Sequence, residues 1–250
     1  MLTQERFDKI VSSVEVRNSV TVSELAEALG VSESTIRRDL IALDRMGRIK
    51  KVHGGATAVS RSSVINEDDM NTKLTLHIYE KEQIGKLAAG LISNNDMVFI
   101  DAGTTTMAMI NYINEGVRAT FVTNGIVHAK KLIGKGLSAY IIGGRIKLTT
   151  EAVIGTAAIG NMQKYNFTKA FIGTNGISIK SGYSTPDIEE AAVKTEALKR
   201  SARSYILADS SKFEAVSAIT FGELRSAAII TEELLDNDYR EYTMIKEAAV

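Results

Sequence analysis

Apolar side chains recur with helical spacing through the first part of the chain. Within residues 7–14 they fall at i, i+3, i+4 and i+7, and within residues 36–43 at i, i+4 and i+7. Both patterns are typical of amphipathic helices. Between them, Thr21 and Glu24 have the spacing of a capping box, so we predict another helix there, ended by Gly30. Ser32 can then cap the next helix after a very short turn.

The pattern changes after this helical region. Residues 48–59 carry β-branched side chains on both sides of a Gly-Gly pair, which predicts a tight β-hairpin. The following stretch is polar and rich in Ser, Asn and Asp, as loops and linkers are. We therefore predict a first domain over residues 1–60, a linker over residues 61–76 and a second domain over residues 77–250.

Short apolar runs alternate with helical patterns from residue 80 onward. Alternation of this kind implies an α/β fold, with a largely parallel sheet covered by helices on both faces. The candidate strands are Met97–Ile100, Ala119–Thr123, Ala139–Ile142, Ala170–Ile172, Tyr205–Ala208 and Ala227–Ile230.

Composition narrows the classes of function. The 250 residues are 44% apolar, and 30 basic residues balance 30 acidic ones, so net charge draws the whole molecule neither to nucleic acid nor to membranes. The chain has no cysteine and three histidines, so we expect no metal site. We find no apolar leader and no apolar run of about 18 residues, so we expect a cytoplasmic protein without a membrane partner.

Positive charge is concentrated near the third predicted helix. Residues 32–61 contain seven basic and three acidic side chains, a net charge of +4. If the apolar stripe faces the core, Ser34 and Arg38 point outward, with Thr35 and Arg37 on the flanks. An Arg pair alone is more often a solvated surface. Two helices joined by a short turn and followed by a basic hairpin instead indicate a winged helix-turn-helix, in which arginine reads guanine and lysines follow the phosphates.

The run TVSELAEALGVSESTIRRDLIALDRMGRIKKVHGGA closely resembles the DNA-binding domain of the DeoR family of bacterial transcription regulators. The similarity lies in the Thr-Ile-Arg-Arg-Asp-Leu helix and the His-Gly-Gly wing, and it implies binding to double-stranded operator DNA. The residues predicted to bind DNA are Ser32, Ser34, Thr35, Arg37, Arg38, Lys50, Lys51, His53 and Gly54.

Polar loops follow five of the predicted strands, at the edge where α/β proteins usually bind ligands. The loop from Asp101 to Thr106 would place three hydroxyls and the N–H groups of a helix start around an anion. The alternative for this loop alone is an Asx turn with a threonine-rich helix cap. Arg145 and Lys212, in two further loops, are available to hold a phosphate. No P-loop or dinucleotide-binding motif is present.

Residues 77–235 resemble the DeoR-type sensor domain, which shares its fold with ribose-5-phosphate isomerase. In that family a phosphorylated sugar is bound, with the Gly-Thr-Thr loop and the lysine of Asp-Ser-Ser-Lys at the ligand. The segments FIGTNGI and STPDIEEAAVK are most similar to regulators of fructose operons, which implies a ketose 1-phosphate such as fructose 1-phosphate. The residues predicted to bind this effector are Asp101, Gly103, Thr104, Thr105, Thr106, Asn124, Arg145, Asn175, Gly176, Lys194 and Lys212.

Two alternatives remain beside a regulator. A sugar-phosphate isomerase would need a general base. Where the isomerase carries a glutamate before its Ser-Lys pair, this chain has Lys194, although Glu189 or Glu190 could substitute. The winged helix could also be a protein-interaction module. We favour a repressor that is not an enzyme, has no catalytic residue or cofactor, and pairs as a homo-oligomer on repeated half-sites.

Overall fold

The computed structural model describes residues 3–17, 19–46, 48–52, 54–58 and 70–248. The chain divides into two compact units, residues 1–63 and 64–250. Of the predicted linker, residues 61–69 lie outside the described residues, while residues 70–75 form a short helix. None of the described helices is long and apolar enough to cross a bilayer.

The first unit has the predicted helical pattern with a small sheet. Its helices are α1 (Thr3–Arg17), α2 (Val22–Leu29) and α3 (Glu33–Arg45), and its strands are β1 (Ser19–Thr21), β2 (Ile49–Val52) and β3 (Gly55–Ala58). The strands are antiparallel in the order β1-β3-β2. The capping box forms at Thr21, and Gly30 ends α2 in the left-handed conformation with φ 65°. The predicted stripe of Ile36, Leu40 and Leu43 is fully buried.

Gly55 is required where the wing strand meets β1. A Cβ atom at this position would lie 2.2 Å from the main-chain oxygen of Val20, well inside van der Waals contact. The hydrogen bond from the Val22 N–H to the Gly54 carbonyl, 2.9 Å long, holds the two segments together at the same place. The Gly-Gly pair therefore provides both the turn and the close approach of two backbones.

The second unit is built on a seven-stranded, all-parallel sheet. Its helices are α4 (Met70–Thr75), α5 (Ile78–Ala89), α6 (Thr104–Tyr112), α7 (Ile126–Gly134), α8 (Thr156–Met162) and α9 (Ile188–Arg200). Its strands are β4 (Met97–Ile100), β5 (Thr120–Thr123), β6 (Ser138–Ile141), β7 (Arg145–Lys147), β8 (Ala152–Ile154), β9 (Phe167–Gly173), β10 (Gly176–Ser178), β11 (Gly182–Thr185), β12 (Ser201–Leu207), β13 (Ile219–Gly222), β14 (Ala228–Thr231) and β15 (Ile245–Glu247).

The order of the main sheet is β15-β14-β12-β9-β4-β5-β6. Alternate residues of β4 enter different cores: Phe99 packs in one cluster with α8 and α9, while Val98 and Ile100 pack in another with α5, α6 and α7. Both faces are therefore covered, as the apolar strand patterns predict. From β4 the chain runs to β5 and β6 on one side, and from β9 to β12 on the other, so the switch of direction lies between β4 and β9.

Candidate DNA-binding surface and effector pocket

Helix α3 presents the predicted polar residues on its outer face. Ser32 caps the helix, with its hydroxyl 3.3 Å from the Thr35 N–H and 2.9 Å from the Ser34 and Thr35 hydroxyls. Ser34 and the two arginines are exposed, and Thr35 is half-buried. The structure thus places hydroxyl and guanidinium groups together at the start of this helix, as the periodicity predicts.

The two arginines of α3 differ in their partners. Arg37 forms a surface ion pair with Glu33 at 2.7 Å, of a kind usually worth under about 1 kcal/mol. Arg38 has no carboxylate partner among the described residues and makes only a 3.5 Å contact from Nε to the Ser34 carbonyl. Of the pair, Arg38 has the guanidinium that is available to a base edge.

Two acidic residues of α3 position the helix and the wing. Asp39 is buried and accepts two hydrogen bonds from Arg6 of α1, at 2.5 and 3.1 Å. Asp44 accepts a 2.7 Å hydrogen bond from the Lys51 N–H and so ties β2 to α3. The sequence shows that these two positions are acidic, but it does not reveal their partners, which are 33 and 7 residues away along the chain.

The wing carries the predicted basic side chains at its surface. Lys50 and Lys51 are exposed on β2, and Gly54 is exposed with φ 85° in the turn. His53, also predicted to bind DNA, lies outside the described residues. The lysines are therefore placed where a wing can follow a phosphate backbone.

A pocket of about 160 Å³ opens in the second unit, at the switch between β4 and β9. Loops after β4, β9 and β12 supply much of its lining, together with the α4–α5 segment. The lining residues are Lys73, Leu76, His77, Lys81, Asp101, Ala102, Gly103, Thr104, Thr105, Thr150, Gly173, Thr174, Asn175, Glu190, Lys194, Asp209, Ser211, Lys212 and Ala215. The small volume and polar lining suit a small, hydrophilic metabolite.

Asp101 and Lys194 meet in this pocket although 93 residues separate them. Both are buried, and the ammonium group donates to the Asp101 carboxylate and, at 3.0 Å, to the carbonyl of Gly173. The same carboxylate oxygen accepts the Gly173 N–H at 3.0 Å. The pair therefore joins the loops after β4 and β9 and brings no excess charge to the pocket.

The threonines of the β4–α6 loop have separate roles. Thr104 and Thr105 line the pocket at the start of α6, where the first N–H groups of a helix have no intrahelical partner. Thr106 is fully buried, and its hydroxyl donates to the Asp101 carbonyl at 2.6 Å and accepts from the Gly103 N–H at 3.1 Å. The structure thus places Thr106 behind the loop as a support.

Three more of the predicted effector residues do not line the pocket. Asn124 is buried and accepts the Ala102 N–H at 2.8 Å, so it holds the β4–α6 loop from behind. Arg145 is exposed and paired with Glu189. Gly176 begins β10, where a Cβ would lie 2.4 Å from the Ala215 carbonyl oxygen. Five loops were predicted at this sheet edge, but those after β5 and β6 contribute no lining residue.

The predicted linker contains pocket residues that the sequence did not reveal. Lys73 and Leu76 of this linker line the pocket, as do His77 immediately after it and Lys81 in the first turns of α5. The Lys81 ammonium is buried and donates to the carbonyls of Lys73 and Leu76, the latter at 2.7 Å. Burial lowers its pKa from the ordinary value. A lysine beside a polar stretch gives no sequence signal for this role.

Asp209 and Lys212 lie together on the turn after β12. Asp209 is 1% exposed, and its Oδ1 accepts hydrogen bonds from the N–H, at 3.2 Å, and the hydroxyl of Ser211. Burial opposes the charged form, yet the nearby Lys212, the Ser211 hydrogen bond, His77 and Lys81 hold the pKa of Asp209 below its usual value. A negative charge is thus surrounded by cationic side chains at one end of the pocket.

Two family models match the chain in sequence. Residues 6–62 match the DeoR-like helix-turn-helix domain, and residues 76–233 match the DeoR C-terminal sensor domain. The chain belongs to the DeoR family. The winged helix and the α/β unit of this DeoR-family protein are therefore a DNA-binding domain and a sensor domain, as the sequence resemblance implied.

Curated relatives cover nearly the whole length of this DeoR-family chain. The HTH-type transcriptional regulator FruR of Bacillus subtilis, itself uncharacterized, is 41% identical over 98% of both chains. IolR of the same organism, also an HTH-type transcriptional regulator, is 31% identical over 97% of this chain and 94% of its own. The lactose phosphotransferase system repressor of Staphylococcus aureus is 32% identical over 95% of both. These names confirm the prediction of a regulator and not an enzyme.

Solved structures share only part of the fold. Ribose 5-phosphate isomerase A of Methanocaldococcus jannaschii covers 53% of both chains at 12% identity, with a TM-score of 0.41. The eIF2B β2δ2 complex of Chaetomium thermophilum matches 63% of this chain and 50% of the other at 17% identity, with a TM-score of 0.44. Both likenesses are weak and say nothing about function.

Proposed function

We propose that this DeoR-family protein is a sequence-specific repressor of a sugar-catabolism operon, acting in the cytoplasm without a cofactor and controlled by a phosphorylated sugar. The observation that carries this proposal is the pocket at the β4–β9 switch, which has an anion-binding end beside groups suited to hydroxyls. The exposed residues of α3 and the wing would supply operator binding.

The anion-binding end combines a helix start with cationic side chains. Thr104 and Thr105 offer hydroxyls and N–H groups at the positive end of α6. Lys212 and Lys81 face the same pocket from the β12 turn and from α5. Because the Asp101–Lys194 pair is neutral overall and Asp209 balances only one of these two lysines, a net positive charge is left for a ligand. A phosphate monoester fits such an arrangement.

The remaining lining provides hydrogen-bond acceptors and donors for hydroxyl groups. Asn175 lies in the loop after β9, with its side-chain oxygen accepting from Thr185 at 3.1 Å. Glu190 accepts from the hydroxyl of Thr150 at 2.8 Å, and both line the pocket. Carboxylates and amides of this kind recognise sugar hydroxyls, so anion and polyol chemistry are combined in one small site.

The same contacts argue against turnover. Glu190 is already bonded to Thr150 and Lys147, and Asp101 to Lys194. An aldose-ketose isomerisation needs a base poised to take a proton from carbon. The carboxylates of Glu190 and Asp101 are instead held by cations and donors, which suits binding without chemistry. Fructose 1-phosphate is the first candidate, from the resemblance of FIGTNGI and STPDIEEAAVK to fructose-operon regulators.

We further propose that the protein acts as a homo-oligomer. A single winged helix contacts too few base pairs to find one site in a genome, so such proteins pair on repeated half-sites. The effector would then alter operator affinity by binding one arrangement of the protein more tightly than another, typically by about 1 to 3 kcal/mol.

The proposal is tested by titrating labelled DNA, selected from random sequence by the protein, with and without sugar phosphates. We expect fructose 1-phosphate or another phosphosugar to shift the wild-type operator affinity about 5- to 150-fold. Lys212→Ala should bind the operator normally without sugar and lose this response, because Lys212 lines the pocket and not the winged helix. Lys180→Ala, which removes an exposed lysine outside the pocket lining, is the matched control.

Three results would contradict the proposal. Affinity that no phosphosugar changes would remove the sensor role proposed for the pocket. A Lys212→Ala protein that responds as the wild type does would remove Lys212 from the site. Steady conversion of one sugar phosphate into another at catalytic protein concentrations, followed by NMR, would show an enzyme in place of a sensor.

A further inference from the structure

One carboxylate oxygen of Asp209 makes no hydrogen bond among the described residues. The side chain is 1% exposed and lines the pocket, and its Oδ2 has no hydrogen-bond donor among the described residues. A buried carboxylate oxygen without a donor is costly, since the lost hydration is not replaced. Such atoms are rare in folded proteins and call for an explanation.

The structural role of Asp209 accounts for only its other oxygen. Oδ1 caps the short 3₁₀ turn Ser210–Lys212 by accepting from Ser211. Asp236 caps the comparable turn Asn237–Glu241 in the same way, accepting the Asp238 N–H at 2.9 Å, and it is exposed. Capping therefore requires neither the burial of Asp209 nor an unpartnered second oxygen in a residue that lines a pocket.

The charges around Asp209 determine what Oδ2 can accept. Lys212, His77 and Lys81 stabilise its ionised form. An ionised carboxylate only accepts hydrogen bonds and repels another anion. A hydroxyl group can satisfy it, whereas the unprotonated oxygens of a phosphate ester or of sulfate cannot. The same cations that attract a phosphate thus surround a group that demands a donor beside it.

We propose that Asp209 is an effector-binding residue whose Oδ2 accepts a hydrogen bond from a sugar hydroxyl, so that the pocket selects phosphorylated sugars over an anion without a donor, such as sulfate. This inference rests on the proposed function, because it assigns a specificity residue to the same pocket. The inference adds that the cationic end of the pocket contains a hydrogen-bond acceptor that distinguishes between ligands. An anion without a hydroxyl group leaves this acceptor without a donor.

Isothermal titration of the full chain tests this with fructose 1-phosphate, fructose 6-phosphate, ribose 5-phosphate, glucose 6-phosphate and sulfate. Asp209→Asn keeps the side-chain shape and an oxygen for the Ser211 cap while removing the charged acceptor. Its loss of charge should favour every anion alike, so the informative quantity is the ratio of the Kd for sulfate to the Kd for the tightest sugar phosphate. We expect this ratio to fall about tenfold or more, as for loss of a hydrogen bond to a charged group.

Asp236→Asn is the matched control, since it alters a capping aspartate outside the pocket lining, and its ratio should equal that of the wild type. An unchanged ratio in Asp209→Asn would overturn the inference while leaving sugar-phosphate binding, and so the proposed function, in place. Equal weakening of all probes, together with a lowered Tm, would show a purely structural Asp209 and also overturn it. Absence of sugar-phosphate binding in the wild type would overturn both proposals.

Discussion

At the scale of residues, neighbouring side chains of one type differ in what they can do. Arg37 is paired with Glu33 on the same helix, whereas Arg38 has no carboxylate partner among the described residues. The backbone N–H of Lys51 donates a hydrogen bond to Asp44, which fixes this part of the wing, while the Lys51 side chain is exposed. Base reading is therefore expected of Arg38, and phosphate contact of Lys51.

Arg38→Ala should weaken binding to the preferred operator by roughly 1 to 3 kcal/mol and relax the base preference at one position. Lys51→Ala should weaken binding to operator and random DNA alike, and should reduce the dependence of binding on salt by about one phosphate contact. Fluorescence anisotropy with both DNAs at several salt concentrations measures these effects. If Arg38→Ala lowers both affinities equally, Arg38 contacts the phosphate backbone and reads no base.

The residues of the pocket show what a sequence can and cannot reveal. Asp101, Lys194 and Lys212 were predicted singly, from polar strand ends and from the family resemblance. That Lys194 neutralises Asp101 could not be predicted, because the pair depends on α9, which carries Lys194, packing against β9, and on β9 pairing with β4. The unpartnered oxygen of Asp209 is likewise a property of packing, and no spacing in the sequence indicates it.

At the scale of elements, α7 is joined to the pocket loop through one buried histidine. His128 donates from Nε2 to the Gly103 carbonyl at 2.9 Å and lies 3.2 Å from the Thr106 hydroxyl. Burial lowers the pKa of His128 to about 4. The imidazole is therefore neutral in the folded protein throughout the ordinary pH range, and its protonation is possible chiefly in the unfolded chain.

The free energy of unfolding should decrease as the pH is lowered, because of this histidine. Below its ordinary pKa of about 6.5 the unfolded chain binds a proton that the folded chain does not, so stability is present above that pH and is lost toward pH 4. The loss should reach about 1 kcal/mol at pH 5.5 and approach roughly 3 kcal/mol near pH 4. The comparison of wild type with His128→Gln isolates this loss from the titration of carboxylates.

Urea unfolding followed by tyrosine fluorescence is the suitable measurement, because all 8 tyrosines lie in the second unit and the chain has no tryptophan. His53→Gln, in the first unit, which contains no tyrosine, is the control. Equal pH dependence in the wild type and His128→Gln would mean that His128 is protonated in the folded protein as readily as in the unfolded chain.

Most strands of the main sheet were predictable from the sequence, whereas the strands of the smaller sheets in the second unit were not. Six strands of the main sheet follow from β-branched and aromatic runs, whereas β15 has three residues, two of them charged. The hairpin β7-β8 and the sheet β10-β11-β13 lie outside the alternation of strands and helices that identified the main sheet. Helix α4 has a polar sequence, and Lys81 from α5 bonds the main chain at its end, so tertiary contacts stabilise what the sequence shows as linker.

At the scale of the whole molecule, zero net charge coexists with a net charge of +4 over residues 32–61. Attraction to DNA is therefore confined to one domain, and the proposed pairing of two such domains on one operator would supply the specificity. We expect light scattering to report a dimer or larger assembly at micromolar concentration. A monomer both alone and with operator DNA would contradict the proposed assembly.

The close contact between Gly55 and the Val20 carbonyl has a genetic consequence. Any other residue at this codon would disturb the wing, while the sensor unit, which folds around its own core, would be intact. Such a subunit would still enter the proposed oligomer and still bind effector. In a cell that carries both alleles, mixed assemblies with one defective DNA-binding domain would outnumber the normal ones. The altered allele would therefore be dominant over the wild type.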